Sequence, residues 1–216
     1  MTSPLAVILG VGPLIGLAVS RRFAVEGFRT ALVGLEGAFL AEQAAGIPRA
    51  RAFECRVESE DSVRMLFERI HRELGEPCVL VCNASAGSRR TPSSLEPAVL
   101  ERELRVNAVA PLAAVREVLP AMRRARRGTL LFTGGGLALK PQADLASGSM
   151  GKAALRQLAL CLAEELAPEG IHAATVTVAG FVQAGTAFAP DFIAEHFWQL
   201  HAEPRESWRS EIVLRP

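Results

Sequence analysis

The chain has 216 residues, half of them apolar, and 24 lysines and arginines against 23 acids, for a formal net charge of +1. That size and apolar share suit one α/β domain over residues 1–216 with a substantial core, and no apolar run is long enough to span a bilayer. A near-neutral balance provides no bulk field for nucleic acid or an anionic membrane surface, which leaves a small molecule as the expected partner.

Met1-Thr2-Ser3-Pro4 passes directly into an apolar run, without the basic region or cleavage site of a secretory leader. The first predicted strand, residues 5–9, leads into Gly10-Val11-Gly12-Pro13-Leu14-Ile15-Gly16 and then a helix over 15–26. Glycines at such a turn let backbone amides and a helix N-terminus approach a pyrophosphate. Strand 30–33 precedes helix 37–45, and strand 50–55 precedes helix 59–74. Strand 78–82 is followed by a Gly/Ser/Pro-rich loop at 85–97 of the kind that lines sites. A long helix over 97–126 ends in Arg123, Arg124, Arg126 and Arg127, a solvated end that complements the helix dipole.

Strand 129–133, helix 146–167, strand 172–178, a shorter helix at 191–201 and strand 212–214 complete the pattern. Alternation of this kind predicts a doubly wound, seven-stranded parallel sheet flanked by helices, with ligands beyond the carboxyl ends of the strands. Cys78 and Cys82 lack a second ligand pair and read as small core residues, so no metal is expected. With Cys55 and Cys161 they suit a reduced, cytoplasmic setting. His196 and His201, beside Trp198, read as surface or subunit-contact residues.

Several landmarks recur in one order along residues 5–182: the Gly10–Gly16 turn, Cys82-Asn83-Ala84, Asn107 in the long helix, Ser149-Met150-Gly151-Lys152, and Ala179-Gly180-Phe181-Val182. In this order they resemble the short-chain dehydrogenase/reductase family. The resemblance implies a Rossmann-type fold, an NAD(P) cofactor and hydride transfer on a carbonyl or hydroxyl substrate. It implies cofactor contacts at Gly10, Gly12, Leu14, Ile15, Gly16, Leu35, Asn83, Ala84, Lys152, Gly180 and Val182. Lys152 and Asn107 take the family's catalytic lysine and relay asparagine, and a homodimer or homotetramer through the fourth and fifth helices is implied as well. Lys152 stands out independently, because Lys140 is the only other lysine in the chain and an amine can shift its pKa as a guanidinium cannot.

The pattern then breaks. Gly148 occupies the place of the family's tyrosine, no tyrosine exists anywhere in the chain, and Gly135 occupies the place of its serine. A missing general acid costs about 10²–10⁴ in rate, so a substitute is required: Thr133, Ser147, Ser149, Lys152 or a water. At the cofactor end, Leu14 replaces a loop glycine and could crowd the pyrophosphate. Gly34 and Leu35 stand where an acid or arginine would read the ribose, with Glu36 as a helix cap. Lack of an acid there, with Arg56 and Arg21 nearby in sequence, ranks NADP slightly ahead of NAD. Residues 183–210 read as a short substrate-side and C-terminal segment. Two readings follow: a divergent NAD(P)-dependent oxidoreductase with a non-standard proton donor, or a nucleotide-binding sensor or partner subunit without turnover.

Overall fold

The computed structural model describes residues 3–216; Met1 and Thr2, which entered the reading of the N-terminus, lie outside them. Seven strands form one sheet: β1 (Leu5–Leu9), β2 (Arg29–Gly34), β3 (Ala50–Glu54), β4 (Val79–Cys82), β5 (Gly128–Gly135), β6 (Ile171–Val178) and β7 (Glu211–Leu214). The order is β3-β2-β1-β4-β5-β6-β7, and every pairing is parallel. Central strands such as β1, β4 and β6 are buried along their whole length. β1 and β4 read as unbroken apolar runs because helices cover both faces.

On one face α3 (Glu60–Leu74), α5 (Ala110–Ala125) and α6 (Ala146–Leu166) enclose a core that includes Phe67, Val118, Leu162 and Phe132. On the other, α1 (Ile15–Val25), α2 (Gly37–Ala45) and α7 (Pro190–Ala202) cover Phe23, Leu40 and Phe197. The amphipathic logic is plain in α3, which buries Val63, Leu66, Phe67 and Ile70 at helical spacing and is capped by Ser59 Oγ accepting from the Ser62 amide at 3.1 Å. Because the chain winds outward from β1 to β3 and then returns to β4, a crevice opens between the carboxyl ends of β1 and β4.

Two expectations change. The single helix expected over 97–126 is interrupted: α4 (Pro97–Leu104) passes through a π-helical turn, Arg105–Val109, before α5 begins. Pro111 has no amide to bond the carbonyl of residue 107 and its ring crowds that carbonyl, so the wide turn falls at Asn107. Within residues 183–210, α7 buries Ile193, Phe197 and Leu200 in the core beside α1. His201 is not a surface residue. Its ring packs among Phe23, Phe28 and Trp198, and its Nδ1 lies 2.9 Å from Thr129 Oγ1.

At the end of α5, Arg123 pairs with Glu169 at 2.7 Å and Glu165 at 3.1 Å, tying that helix to the end of α6. Among the described residues no helix is long and apolar enough to cross a membrane.

Candidate active site

The turn after β1 is shaped by backbone contacts. Gly10 has φ +98°, a left-handed conformation, and a methyl there would run into the backbone of Ala84. The amides of Gly10 and Val11 both donate to the Val33 carbonyl, at 2.9 and 2.7 Å, which folds the turn over the end of β2. Around Gly12 a methyl would meet nothing within 4 Å, so the backbone faces open space. Ile15 and Gly16 begin α1, whose N-terminus has no side-chain cap and no acid in its first turn. Leu14, at the N-cap, is 49% exposed. Open room, an uncapped helix N-terminus and no local acid fit a dinucleotide's pyrophosphate.

The ends of β4 and β5 are tied to that turn by hydrogen bonds. Asn83 Nδ2 donates to the Gly10 carbonyl at 2.6 Å, and the amides of Asn83 and Ala84 both donate to the Leu9 carbonyl. Thr133 Oγ1 donates to Asn83 Oδ1 at 2.8 Å, and Lys152 Nζ donates to the Thr133 carbonyl at 2.8 Å. Lys152 is thus held at the floor of the crevice by the strand it faces. Burial of its stem pushes the ammonium from the ordinary 10.5 down to about 8.

Asn107 is buried and its side chain is committed. Its Oδ1 accepts from the Ala86 amide at 3.0 Å and from Ser85 Oγ at 3.2 Å, while Nδ2 donates to the Ala86 carbonyl at 2.7 Å. It therefore clamps the start of the loop after β4. The π-helical turn presents Asn107 to that loop, and Gly151 on α6 leaves room for its amide.

The two glycines at the missing catalytic positions have different neighbours. A methyl at Gly135 would touch Lys152 Cγ and Cδ at 3.4 Å, and one at Gly148 would touch only Leu137 Cδ1, also at 3.4 Å. Among the substitute hydroxyls, Thr133 is spent on Asn83, and Ser149 Oγ accepts from the Gln142 amide at 3.2 Å. Ser147 is buried and accepts from the Ser88 amide at 3.4 Å. Two amines, Lys140 and Lys152, line the cleft beside these hydroxyls.

A cleft of about 720 Å³ opens beside it, bordered by Gly135, Leu137, Lys140, Lys152, Phe181 and Arg215. Gly180 packs where any side chain would strike the Phe188 ring, Phe181 is 94% exposed, and Val182 is partly buried against the α1-side core. A second cavity of about 380 Å³, between α6 and Trp208, lies at the opposite end of β6 and away from these residues. Sequence reasoning did not place Lys140, Leu137 or Arg215 at the cleft. Arg215 follows directly on β7, so the rule that sites gather after strand ends would have found it.

At the far end of the crevice, Gly34 carries no acid because its missing side chain makes way for the Val11 carbonyl. Leu35 is 57% exposed, and Glu36 sits at the α2 N-cap position without a side-chain cap bond. Glu54, at the end of β3, lies against Gly37 instead. Arg56 is exposed and only loosely paired with Glu58, at 3.7 Å.

Comparison with known proteins agrees with this geometry. The family model described as short chain dehydrogenase matches residues 4–190. An oxidoreductase, asL5, of Sarocladium schorii is 26% identical over 204 residues, covering 94% of this chain and 81% of that protein. A metagenomic short-chain oxidoreductase solved in complex with NADP is 28% identical, with a TM-score of 0.89 over 100% of this chain and 98% of its own. A short-chain dehydrogenase from Rhodopseudomonas palustris is 26% identical with a TM-score of 0.88, over 99% of this chain and 98% of that one.

Proposed function

We propose, from the premise that the chain belongs to the short-chain dehydrogenase family, an NAD(P)-dependent carbonyl or alcohol oxidoreductase whose proton is carried by Lys152. The observation that supports this most is the tether of Lys152 Nζ to the Thr133 carbonyl at the cleft floor, with Gly135 against the lysine stem. No side chain at position 135 separates the amine from a substrate oxygen.

The pyrophosphate would lie on the Gly10–Gly16 turn and the α1 N-terminus, with Asn83, Ala84, Gly180 and Val182 bordering the rest of the cofactor. When bound, the nicotinamide supplies or accepts a hydride. The protein's own part is then proton management. In the reducing direction the Lys152 ammonium donates a hydrogen bond to the substrate carbonyl oxygen and transfers its proton as negative charge develops there, leaving a neutral amine. Solvent entering the open cleft returns the proton. Thr133 holds the amine in place through its carbonyl, and Asn107 acts as a positioning residue by fixing residues 85–86.

NADP stands ahead of NAD in this reading. Support comes from the absence of an acid at Gly34, the loosely held Arg56 and the NADP bound by the metagenomic short-chain oxidoreductase. Titration of the purified protein with NADPH and NADH, followed by nicotinamide fluorescence, should give micromolar binding with NADPH the tighter. In a panel of aldehydes and ketones, reduction should fall as pH rises through about 8 and oxidation should rise. Lys152→Ala should lose about 10²-fold or more in kcat. Wild-type turnover in that variant would remove Lys152 from the mechanism. Tight binding without turnover across the panel would leave a nucleotide-binding sensor or partner subunit.

A further inference from the structure

The charged side chains that line the cleft beside Lys152 are all cationic. Its lining includes Lys140, Lys152 and Arg215 and not a single aspartate or glutamate. Composition does not explain this, since the chain as a whole has 23 acids to 24 bases. Nor are Lys140 and Arg215 used by the fold. Lys140 and Arg215 make no ion pair or side-chain hydrogen bond among the described residues, whereas Arg22, Arg123 and Arg156 are each held by carboxylates. Both are exposed, and the walls between them, Leu137, Leu139, Val178 and Phe181, are apolar.

Sheet register locates Arg215 relative to the reacting end. Gly135 on β5 lies opposite Val178 on β6, and Val178 opposite Leu214 on β7. The Ala179 amide then donates to the Leu214 carbonyl at 2.9 Å, which carries Arg215 out beside the Ala179-Gly180 turn. Two strand spacings separate β5 from β7, so the backbone at Arg215 stands about 10 Å across the sheet from the strand end that holds Lys152. The Gly10–Gly16 turn follows β1, which lies four spacings from β7, or about 19 Å. Arg215 is therefore too far away to serve the cofactor's pyrophosphate, yet close enough to reach a substrate that touches Lys152.

We propose that this cleft selects an anionic substrate: a carbonyl or alcohol compound with a short apolar body and a carboxylate that Arg215 binds, with Lys140 supporting. A planar guanidinium can take a carboxylate through two parallel hydrogen bonds, and the apolar walls keep the rest of the ligand out of water. The reaction in this proposal rests on the oxidoreductase reading above, but the recognition does not.

Isothermal titration of the full chain, with and without NADPH, tests recognition using hexanoate and its neutral match hexanamide. Hexanoate should bind about tenfold or more tighter than hexanamide, the value of one charge-assisted contact. Arg215→Gln should abolish the preference and Lys140→Gln should reduce it, with both variants melting at the wild-type temperature. Equal affinity for the two ligands, binding of neither across the millimolar range, or a preference that survives Arg215→Gln would overturn the proposal. Because the readout is heat of binding, a protein that binds hexanoate selectively but turns nothing over refutes the reaction and leaves the anion site standing.

Discussion

Lys152→Met keeps an unbranched apolar stem of similar length and removes the charge, so it separates what Lys152 does for stability from what it does for chemistry. The fall of the ammonium from 10.5 to about 8 corresponds to about 3.4 kcal/mol, the cost of holding it charged in the folded state below pH 8. The hydrogen bond to the Thr133 carbonyl is already contained in that net value and is lost with the amine. Methionine should therefore leave the fold as stable at pH 7 or more so, by about 1 kcal/mol, while turnover collapses. The pH dependence is sharper. Between about 8 and 10.5 the unfolded chain holds a proton that the folded chain has released, so rising pH favours the folded wild type. Wild type should gain about 3 kcal/mol on the variant as pH rises through that window.

Urea unfolding followed by fluorescence of Trp198 and Trp208 at pH 7, 9 and 10.5 measures the difference. The chain has no tyrosine to titrate in this range, and the cysteines are common to both proteins. A gap that stays constant across the window, or a variant markedly less stable at pH 7, would refute the argument that Lys152 is desolvated.

Three further outcomes are expected. Gly148→Tyr combined with Gly135→Ser places each new Cβ in ordinary 3.4 Å contact, so the protein should fold and reduction should rise by about 10²-fold; a melting temperature sharply below wild type would refute the steric part. Gly10→Ala should cost about 1–2 kcal/mol for its backbone conformation alone, more for the collision with Ala84, and should weaken NADPH binding; a chemical melt and a fluorescence titration check both. Burial pushes His201 down from 6.5 to about 4, so stability should fall as pH drops through that interval by up to about 3 kcal/mol. His201→Gln should flatten that slope in acid unfolding curves, and an unchanged slope would count against it.

Element type and order were legible because each apolar run is bounded by glycine, proline or a cap, and because strand and helix periods differ. The turn at Gly10–Gly16, Asn83 and Lys152 were legible for a related reason: local backbone geometry demands particular residues there, as the φ of +98° at Gly10 does. Pro111 carried the signal for the broken helix, although periodicity alone ran through it. His201 could not be read, since a histidine on an amphipathic helix looks alike whether water or an aromatic cluster covers it.

The sequence by itself determined the alternating α/β plan, the glycine-rich turn and the absence of a tyrosine at position 148. Those are properties of short segments, set by sterics and hydrophobic periodicity. Only the tertiary structure decided that Asn107 is occupied by the 85–86 loop, that Thr133 and Ser149 are committed elsewhere, and that Lys152 is buried enough to release a proton near neutrality. It alone brought Arg215 to the same cleft as Lys152, 63 positions away in the chain, because strand order rather than sequence distance sets which strand ends are neighbours.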